Sequence, residues 1–117
     1  MGYVDAVVVP VKKKRLKEYA RLVGKMKKIW KDCGALSYVE AVADDVKPGK
    51  YTSFPQSVKL KSGETVVVAH VTYKSRAHRD AVNKKLHKDS RMKALFSEDM
   101  PFDMRRIFFG GFKVIVS

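Results

Sequence analysis

The sequence predicts an α+β fold in which one antiparallel four-stranded sheet carries two helices on one face. Three observations predict it: four segments have the β-branched, apolar character of strands, two have apolar residues at helical spacing, and their order is β-α-β-β-α-β. A chain of 117 residues is long enough to bury a hydrophobic core, so we expect one domain spanning residues 1–117.

The first half of the chain contributes a strand, a helix and a second strand. Residues 3–9 are rich in valine, and Pro10 is expected to end this strand because proline has no N–H for a sheet ladder. Apolar residues then recur every three or four positions across residues 13–33, with lysines between them, and Gly34 suits a left-handed helix C-cap. Residues 35–43 are predicted as the second strand.

The second half contributes two further strands, over residues 64–73 and 106–116, and the second helix between them, over residues 75–88. Residues 57–61 are predicted as a short strand extension before the third strand, and Ser75 as the N-cap of the second helix. Gly110 and Gly111 interrupt the last strand, which suggests a bulge or a close backbone approach. The whole order is that of the ferredoxin-like split βαβ fold, with strand order 4-1-3-2 and both helices on one sheet face.

The sheet face without helices is predicted to be apolar as well. In the first strand we expect Val4, Ala6 and Val8 beneath the helices, which leaves Tyr3 and Asp5 on the second face. An apolar face of this size is unstable in water, and two copies packed sheet against sheet would cover it. The sequence therefore predicts a homodimeric α+β barrel with a cavity between its sheets for a small-molecule ligand.

Three residues with acid–base chemistry are predicted to share this second face, namely Asp5, Glu40 and His70. A carboxylate beside a histidine raises the histidine's pKa and orients its ring, as general acid–base catalysis or metal binding requires. These three are the candidate catalytic residues, and Tyr3 joins them as a candidate ligand-binding residue. Two other interpretations stay open: the groups only hydrogen-bond one another or solvent at the dimer interface, or they bind a metal.

A second candidate site lies in the proline-containing loop before the last strand. Asp103 is placed to pair with Arg106 near the mouth of the barrel. The pair either ties the loop to the last strand or forms a rim that binds an acidic ligand, so both residues are candidate ligand-binding residues.

The positive charge is concentrated in the two helical segments. The formal net charge is +13, and residues 12–31 and 74–93 together hold 18 of the 25 lysines and arginines. Such a surface attracts polyanions, so RNA or polyanion binding is an alternative prediction beside that of two simply solvated helix faces. The candidate nucleic-acid-binding residues are Lys12, Lys13, Lys14, Arg15, Lys27, Lys28, Lys84 and Lys85.

Other classes of site are excluded by what the sequence lacks. A single cysteine, Cys33, rules out an internal disulfide framework and a cysteine-based zinc site. Neither a dinucleotide-binding loop nor an HExxH motif occurs, so we expect no cofactor and no metal. No apolar stretch is long enough for a membrane span and residues 1–11 lack a signal-peptide pattern, so we expect a cytoplasmic protein without a membrane partner.

Short motifs spread along the chain match a known family. They are Tyr3-Val4-Asp5, Gly34-Ala35-Leu36, Val39-Glu40, Arg79-Asp80-Ala81 and, most specific of all, Met100-Pro101-Phe102-Asp103 followed by Arg106 and Gly110-Gly111-Phe112. On these motifs the chain resembles the YbaA-like family of uncharacterised bacterial proteins over nearly its whole length. His70 and Thr72 depart from the family pattern, in which we expect an aromatic residue and a glutamate.

The resemblance implies a fold similar to that of dimeric α+β barrel proteins, a group that includes antibiotic-biosynthesis-type monooxygenases and haem-degrading enzymes. It therefore implies an inter-sheet ligand cavity and an oxygenase-like activity that needs no bound cofactor. Some relatives also carry a label that links them to signal recognition particle RNA. Three functions remain open: a cavity-based ligand-binding protein or enzyme, an RNA or polyanion binder, and a non-catalytic structural or regulatory dimer.

Overall fold

The computed structural model describes residues 2–117 and contains the predicted four-stranded antiparallel sheet. In chain order its elements are β1 (Tyr3–Lys12), a 3-10 turn (Lys13–Arg15), α1 (Leu16–Asp32), β2 (Ser37–Val42), α2 (Phe54–Ser57), β3 (Glu64–Tyr73), α3 (Arg76–Lys88), α4 (Ser90–Leu95) and β4 (Phe108–Lys113). The strands lie in the order β2-β3-β1-β4, which confirms the predicted order 4-1-3-2. This is the ferredoxin-like α+β fold that the sequence predicts.

β1 continues to Lys12, so the prediction that Pro10 ends this strand is wrong. β1 pairs with β3 over its full length but with β4 only as far as Val8. The Lys12 N–H, which points to the same side as position 10, donates to the Pro101 carbonyl on the β4 side of the strand (3.1 Å). The missing N–H of Pro10 therefore faces a position where β4 no longer pairs, and no ladder hydrogen bond is lost.

α1 has the predicted amphipathic pattern and the predicted C-cap. Its buried residues recur at helical spacing: Tyr19, Met26 and Ile29. At the C-terminus the Ala35 N–H donates to the Trp30 carbonyl and the Gly34 N–H donates to the Lys31 carbonyl, both at 3.0 Å. This pair of hydrogen bonds is a Schellman motif, and the φ of +115° at Gly34 is the left-handed conformation that the motif requires.

The segment between β2 and β3 is not the predicted strand extension. Its residues 54–57 form α2, whose N-cap Ser53 accepts a hydrogen bond from the Gln56 N–H through its side-chain oxygen (3.2 Å). After α2 the chain buries Val58 against Val8 and Val66. The segment therefore covers one end of the sheet face opposite α1 and α3.

The main core lies between the helices and the other face of the sheet. On β3, the buried residues of this core are Val67, Ala69 and Val71. On α3, Val82 and Leu86 contribute to the same core, and the predicted N-cap Ser75 accepts a hydrogen bond from the His78 N–H (3.1 Å).

The two faces of β1 are opposite to the prediction. Tyr3 and Val9 are buried in the core beneath the helices, whereas Val4 and Ala6 lie on the other face. The core takes the set with the larger side chains because they bury more apolar surface. Asp5 belongs to the same set, and it is paired with an arginine beneath the helices.

Candidate functional site

The sheet face opposite α1 and α3, which we call the open face, is mostly apolar and largely uncovered. All four strands contribute to it, through Val4, Ala6, Val8, Ser37, Val39, Ala41, Val68, His70, Thr72, Phe108, Gly110 and Phe112. Val39, Phe108 and Phe112 are 44, 45 and 58% exposed, respectively. None of these twelve residues is a lysine, arginine, aspartate or glutamate, although the chain as a whole is strongly basic.

His70 lies on the open face beside two small residues. It is flanked across the sheet by Ala6 on β1 and Val39 on β2, and Gly110 on β4 lies beyond Ala6. The imidazole is exposed and is the one titratable side chain among the twelve open-face residues. The small size of Ala6 and Gly110 leaves a shallow depression on the β1 and β4 side of the imidazole, which can donate or accept a hydrogen bond.

Larger and more polar side chains border this depression. Phe108 and Phe112 stand on the same face of β4 at either side of Gly110. In the neighbouring row, Ser37 and Thr72 lie opposite each other and hydrogen-bond through their hydroxyl groups. The depression thus has aromatic walls on β4 and a hydroxyl pair beside it on β2 and β3.

Glu40 does not share the open face, contrary to the prediction. It lies beneath α1, where its carboxylate accepts hydrogen bonds from the Tyr19 hydroxyl and from the Tyr38 hydroxyl (2.6 Å from Tyr38 Oη to Oε2). Burial, together with the adjacent carboxylate, raises the pKa of both tyrosines. Both hydroxyls therefore remain protonated donors, and Glu40 satisfies polar groups within the core.

Asp5 also lies on the helix side, so the predicted constellation of Asp5, Glu40 and His70 does not form. Asp5 pairs with Val71, the residue after His70, and its side chain consequently points to the face opposite the imidazole. The error is one of alternation, because moving a strand residue by one position transfers its side chain to the other face.

Asp5 belongs instead to a polar cluster with Tyr3, Tyr73 and Arg79. Arg79 Nε lies 3.6 Å from Asp5 Oδ1, Arg79 Nη2 donates to the Tyr3 hydroxyl (3.0 Å), and the guanidinium lies 5.0 Å from the Tyr3 ring centroid. Burial raises the pKa of the Asp5 carboxyl and raises that of Tyr73 to about 12. Within residues 2–117, the buried Tyr73 hydroxyl and Arg79 Nε have no hydrogen-bond partner.

Gly111 makes room for this cluster, which confirms the close backbone approach expected at the paired glycines. A Cβ atom at Gly111 would lie 2.5 Å from Arg79 Nη2 and 2.7 Å from Tyr3 Cε2. A Cβ atom at Gly110 would meet only the Phe112 ring, at 3.7 Å, which is an ordinary contact. The two adjacent glycines therefore differ in function: Gly111 admits the cluster, whereas Gly110 keeps the open-face row small.

Asp103 and Arg106 are brought together as predicted, in a network that ties the loop to the sheet. Arg106 Nε donates to Asp103 Oδ2 (2.9 Å), and its Nη1 and Nη2 atoms donate to the two carboxylate oxygens of Glu64 (2.7 and 2.6 Å). Nη1 also donates to the carbonyls of Val58 and Lys59. The guanidinium lowers the pKa of both carboxyls and its donors are largely taken up, which favours the structural interpretation over a ligand rim.

The candidate nucleic-acid-binding residues fall into two groups. Four are exposed on the helices, namely Lys27, Lys28, Lys84 and Lys85. The other four lie where β1 passes into α1, namely Lys12, Lys13, Lys14 and Arg15. Nucleic-acid binding by either group stays a prediction.

A metal-binding cluster and a membrane-spanning helix are both absent from the described part of the chain. Between residues 2 and 117, no three His, Cys, Asp or Glu side chains lie close enough together to hold a metal ion. Over the same range, no helix combines the length and apolarity needed to cross a bilayer. Cys33 is buried in the main core.

Comparison with known sequences identifies the family. The profile of a family described as "Protein of unknown function (DUF1428)" matches residues 2–104. The chain belongs to the DUF1428 family. It is 42% identical over 116 residues to "Uncharacterized protein YbaA" of Escherichia coli (strain K12), a match that covers 99% of this chain and 98% of the relative, and a Shigella flexneri protein of the same name matches equally. The resemblance to the YbaA-like family is thereby confirmed.

Solved structures share the fold of this DUF1428 chain. A dimeric ferredoxin-like protein from an uncultured marine organism aligns with a TM-score of 0.57 and 14% identity, over 99% of this chain and 97% of that one. A NIPSNAP family protein from Agrobacterium tumefaciens str. C58 aligns with a TM-score of 0.56 and 14% identity, over 99% and 89% of the two chains. At this identity the likeness concerns the fold alone.

Sequence reasoning missed two residues that organise the polar clusters of this DUF1428 protein. Arg79 holds Asp5, and a signal for it existed, because an acid in an otherwise apolar strand requires a cation nearby when it is buried. Glu64 forms an ion pair with Arg106, but no sequence pattern indicates this pairing, because a glutamate at the start of a strand is usually solvated. Only the folded chain brings these residues together, 42 positions apart in sequence.

Proposed function

We propose that this protein forms a homodimer whose two open faces enclose a chamber that binds a small molecule through His70. One observation carries the proposal: two small residues, Ala6 and Gly110, lie beside His70 on a sheet face that is uncharged, mostly apolar and largely uncovered. Apolar surface of this extent is typical of an interface or a ligand site.

A second copy of the chain is the partner that best fits the open face. The twelve open-face residues include no lysine or arginine, whereas α1 and α3 carry exposed lysines on the other side of the sheet. Two molecules of net charge +13 therefore meet with least repulsion through their open faces. The contact would bury Phe108 and Phe112 around a two-fold axis, and one solved protein of similar fold is described as dimeric.

The row around His70 supplies the space for a ligand. Sheets packed face to face stand about 10 Å apart, and side chains from both normally fill the gap. Ala6 and Gly110 are too small to fill it beside His70, and two-fold symmetry repeats the void. The ligand would combine an apolar body with one group that hydrogen-bonds the imidazole.

His70 is also the group on which an oxygenase-like reaction without a bound cofactor would depend. It is the one histidine among the open-face residues, and its imidazole would act as the general base that takes a proton from the ligand. Oxygen consumption by the ligand-loaded protein distinguishes an enzyme of this kind from a binding protein.

The dimer is tested by sedimentation velocity on two matched variants. Phe112→Lys places a charge on the open face, whereas Phe109→Lys places the same charge on the opposite face of the same strand, where Phe109 is 78% exposed. We expect the wild type and Phe109→Lys to sediment as dimers and Phe112→Lys as a monomer. A monomeric wild type at about 100 μM, or equal behaviour of the two variants, would contradict the proposed interface.

The ligand is tested on protein purified without additives. Denaturing extraction followed by mass spectrometry is expected to release a small molecule from the wild type and at least about tenfold less of it from His70→Ala. The variant should keep its sedimentation coefficient and circular dichroism spectrum, because His70 is exposed within one chain. A crystal structure of the dimer with side chains filling the space beside His70 would refute the chamber and favour a non-catalytic dimer.

A further inference from the structure

A second concave surface lies at the end of the sheet, apart from the open face. It is a groove of about 960 Å³ between the β1–α1 junction, the turn before β3 and the loop before β4. None of the twelve open-face residues lines it. Its volume is that of protein sites for small organic ligands.

Most carboxylates of this groove are already neutralised within the fold. Asp99 pairs with Arg15 (2.8 Å), and Glu64 and Asp103 pair with Arg106 (2.6 and 2.9 Å). The two arginines are therefore engaged by acidic partners, and they bring little positive charge to a ligand.

Five other cations of the groove have no carboxylate within ion-pair distance among residues 2–117. They are Lys12, Lys13, Lys14, Lys61 and Arg105, and all are exposed. Glu98 is the acid of the groove that stays outside the pairs described above. This excess of cations gives the groove a positive potential, which concave walls concentrate.

We infer that the groove binds a small molecule that carries two or more phosphate groups, with a nucleoside triphosphate as the representative. Lysine ammonium groups on flexible stems suit adjacent phosphates, whose charge matches several cations at once. Phe102 and Met104 line the same groove and offer apolar contacts to the organic part of the ligand. The inference is independent of the chamber around His70.

A nucleic-acid strand fits the groove less well than a small polyphosphate does. Proteins bind single strands largely by stacking bases on accessible aromatic rings. Phe102, the aromatic residue of this groove, is half-buried and packs edge-on against Tyr19, with ring centroids 5.8 Å apart. The groove therefore offers a compact group of charges without a stacking platform.

Isothermal titration calorimetry of the full chain with ATP, inorganic tripolyphosphate and AMP tests the inference. At about 50 mM salt we expect ATP and tripolyphosphate to bind with Kd below about 1 mM, at least about tenfold more tightly than AMP. The double variant Lys13→Ala/Lys14→Ala should weaken tripolyphosphate binding about tenfold. The control Lys27→Ala/Lys28→Ala removes the same charge from exposed positions of α1 outside the groove and should weaken it about twofold or less.

Three outcomes would overturn the inference. Equal weakening by the two double variants would mean that total charge, not the groove, attracts the anion. ATP that binds no more tightly than AMP would remove the requirement for several phosphates. A single-stranded RNA that binds more tightly than ATP, and whose binding both double variants weaken equally, would indicate a nucleic-acid surface instead. Thermal melting of both variants checks that they fold.

Discussion

Substitution of Gly111 by alanine tests how β4 packs beside the polar cluster beneath the helices. The new methyl group would lie 2.5 Å from Arg79 Nη2 and 2.7 Å from Tyr3 Cε2, which is closer than non-bonded carbon atoms approach. Tyr3 is only 8% exposed and Arg79 stacks on its ring, so neither side chain can move away without losing packing.

The expected loss of stability for Gly111→Ala combines two opposing effects. Overpacking of this kind costs about 1–3 kcal/mol. Alanine also restricts the unfolded chain, which stabilises a protein by about 0.4–1 kcal/mol wherever the native backbone suits alanine. The φ of Gly111 is not positive, so its backbone allows this gain. We therefore expect the free energy of unfolding to fall by about 1.3 kcal/mol, which is the difference between the midpoints of the two ranges.

Urea denaturation followed by far-ultraviolet circular dichroism, at one fixed protein concentration, measures the effect. The matched control is Gly110→Ala, whose Cβ meets only an ordinary contact, and its free energy of unfolding should stay unchanged or rise. Adding Tyr3→Phe to Gly111→Ala removes the hydroxyl closest to the new methyl group, so the double variant should lose about 0.5 kcal/mol less than the sum of the two single losses. If Gly111→Ala is as stable as Gly110→Ala, the reasoning from close approach is wrong.

Two further predictions concern the other polar groups. Tyr73→Phe removes a buried hydroxyl that has no partner among residues 2–117, so the free energy of unfolding should stay within about 0.5 kcal/mol or rise, whereas Tyr38→Phe removes a hydrogen bond to Glu40 and should cost about 1–2 kcal/mol in the same urea assay. Arg106 lowers the pKa of Glu64 in the folded state. The stability that this ion pair contributes is therefore complete above the unfolded pKa of Glu64, about 4.5, and is lost as the pH falls below that value. Urea midpoints of wild type and Arg106→Met should therefore differ most at neutral pH and converge towards pH 3, and a difference that does not depend on pH would contradict the role of this pair.

Local patterns were sufficient to predict the positions of most elements. The predicted strand over residues 64–73 coincides with β3, and the predicted helix over residues 75–88 differs from α3 by one residue at its start. Ser75 and Gly34 mark helix ends through their own hydrogen bonds and backbone conformation. Such signals act over a few residues, so they do not depend on distant parts of the chain.

The candidate site could not be assembled in the same way. Each strand residue can lie on either face of the sheet. The face on which Asp5 lies depends on Arg79, which is on a helix far along the chain. The choice for Glu40 depends on the hydroxyls of Tyr19 and Tyr38, which satisfy its carboxylate beneath α1. A charged residue in an amphipathic pattern lies on the solvent face unless the fold places a neutralising partner beside it.

Local patterns in the chain are enough to predict the four strands and the two long helices in their order, the ferredoxin-like topology and the concentration of positive charge in residues 12–31 and 74–93. These properties follow from periodicity, capping and composition, which each segment carries within itself. Contacts between distant parts of the chain determine which side of β1 is buried, and hence that His70 has no carboxylate beside it on the open face. The reason is that the free energy of burying a polar group depends on the hydrogen-bond and charge partners that the rest of the fold places next to it.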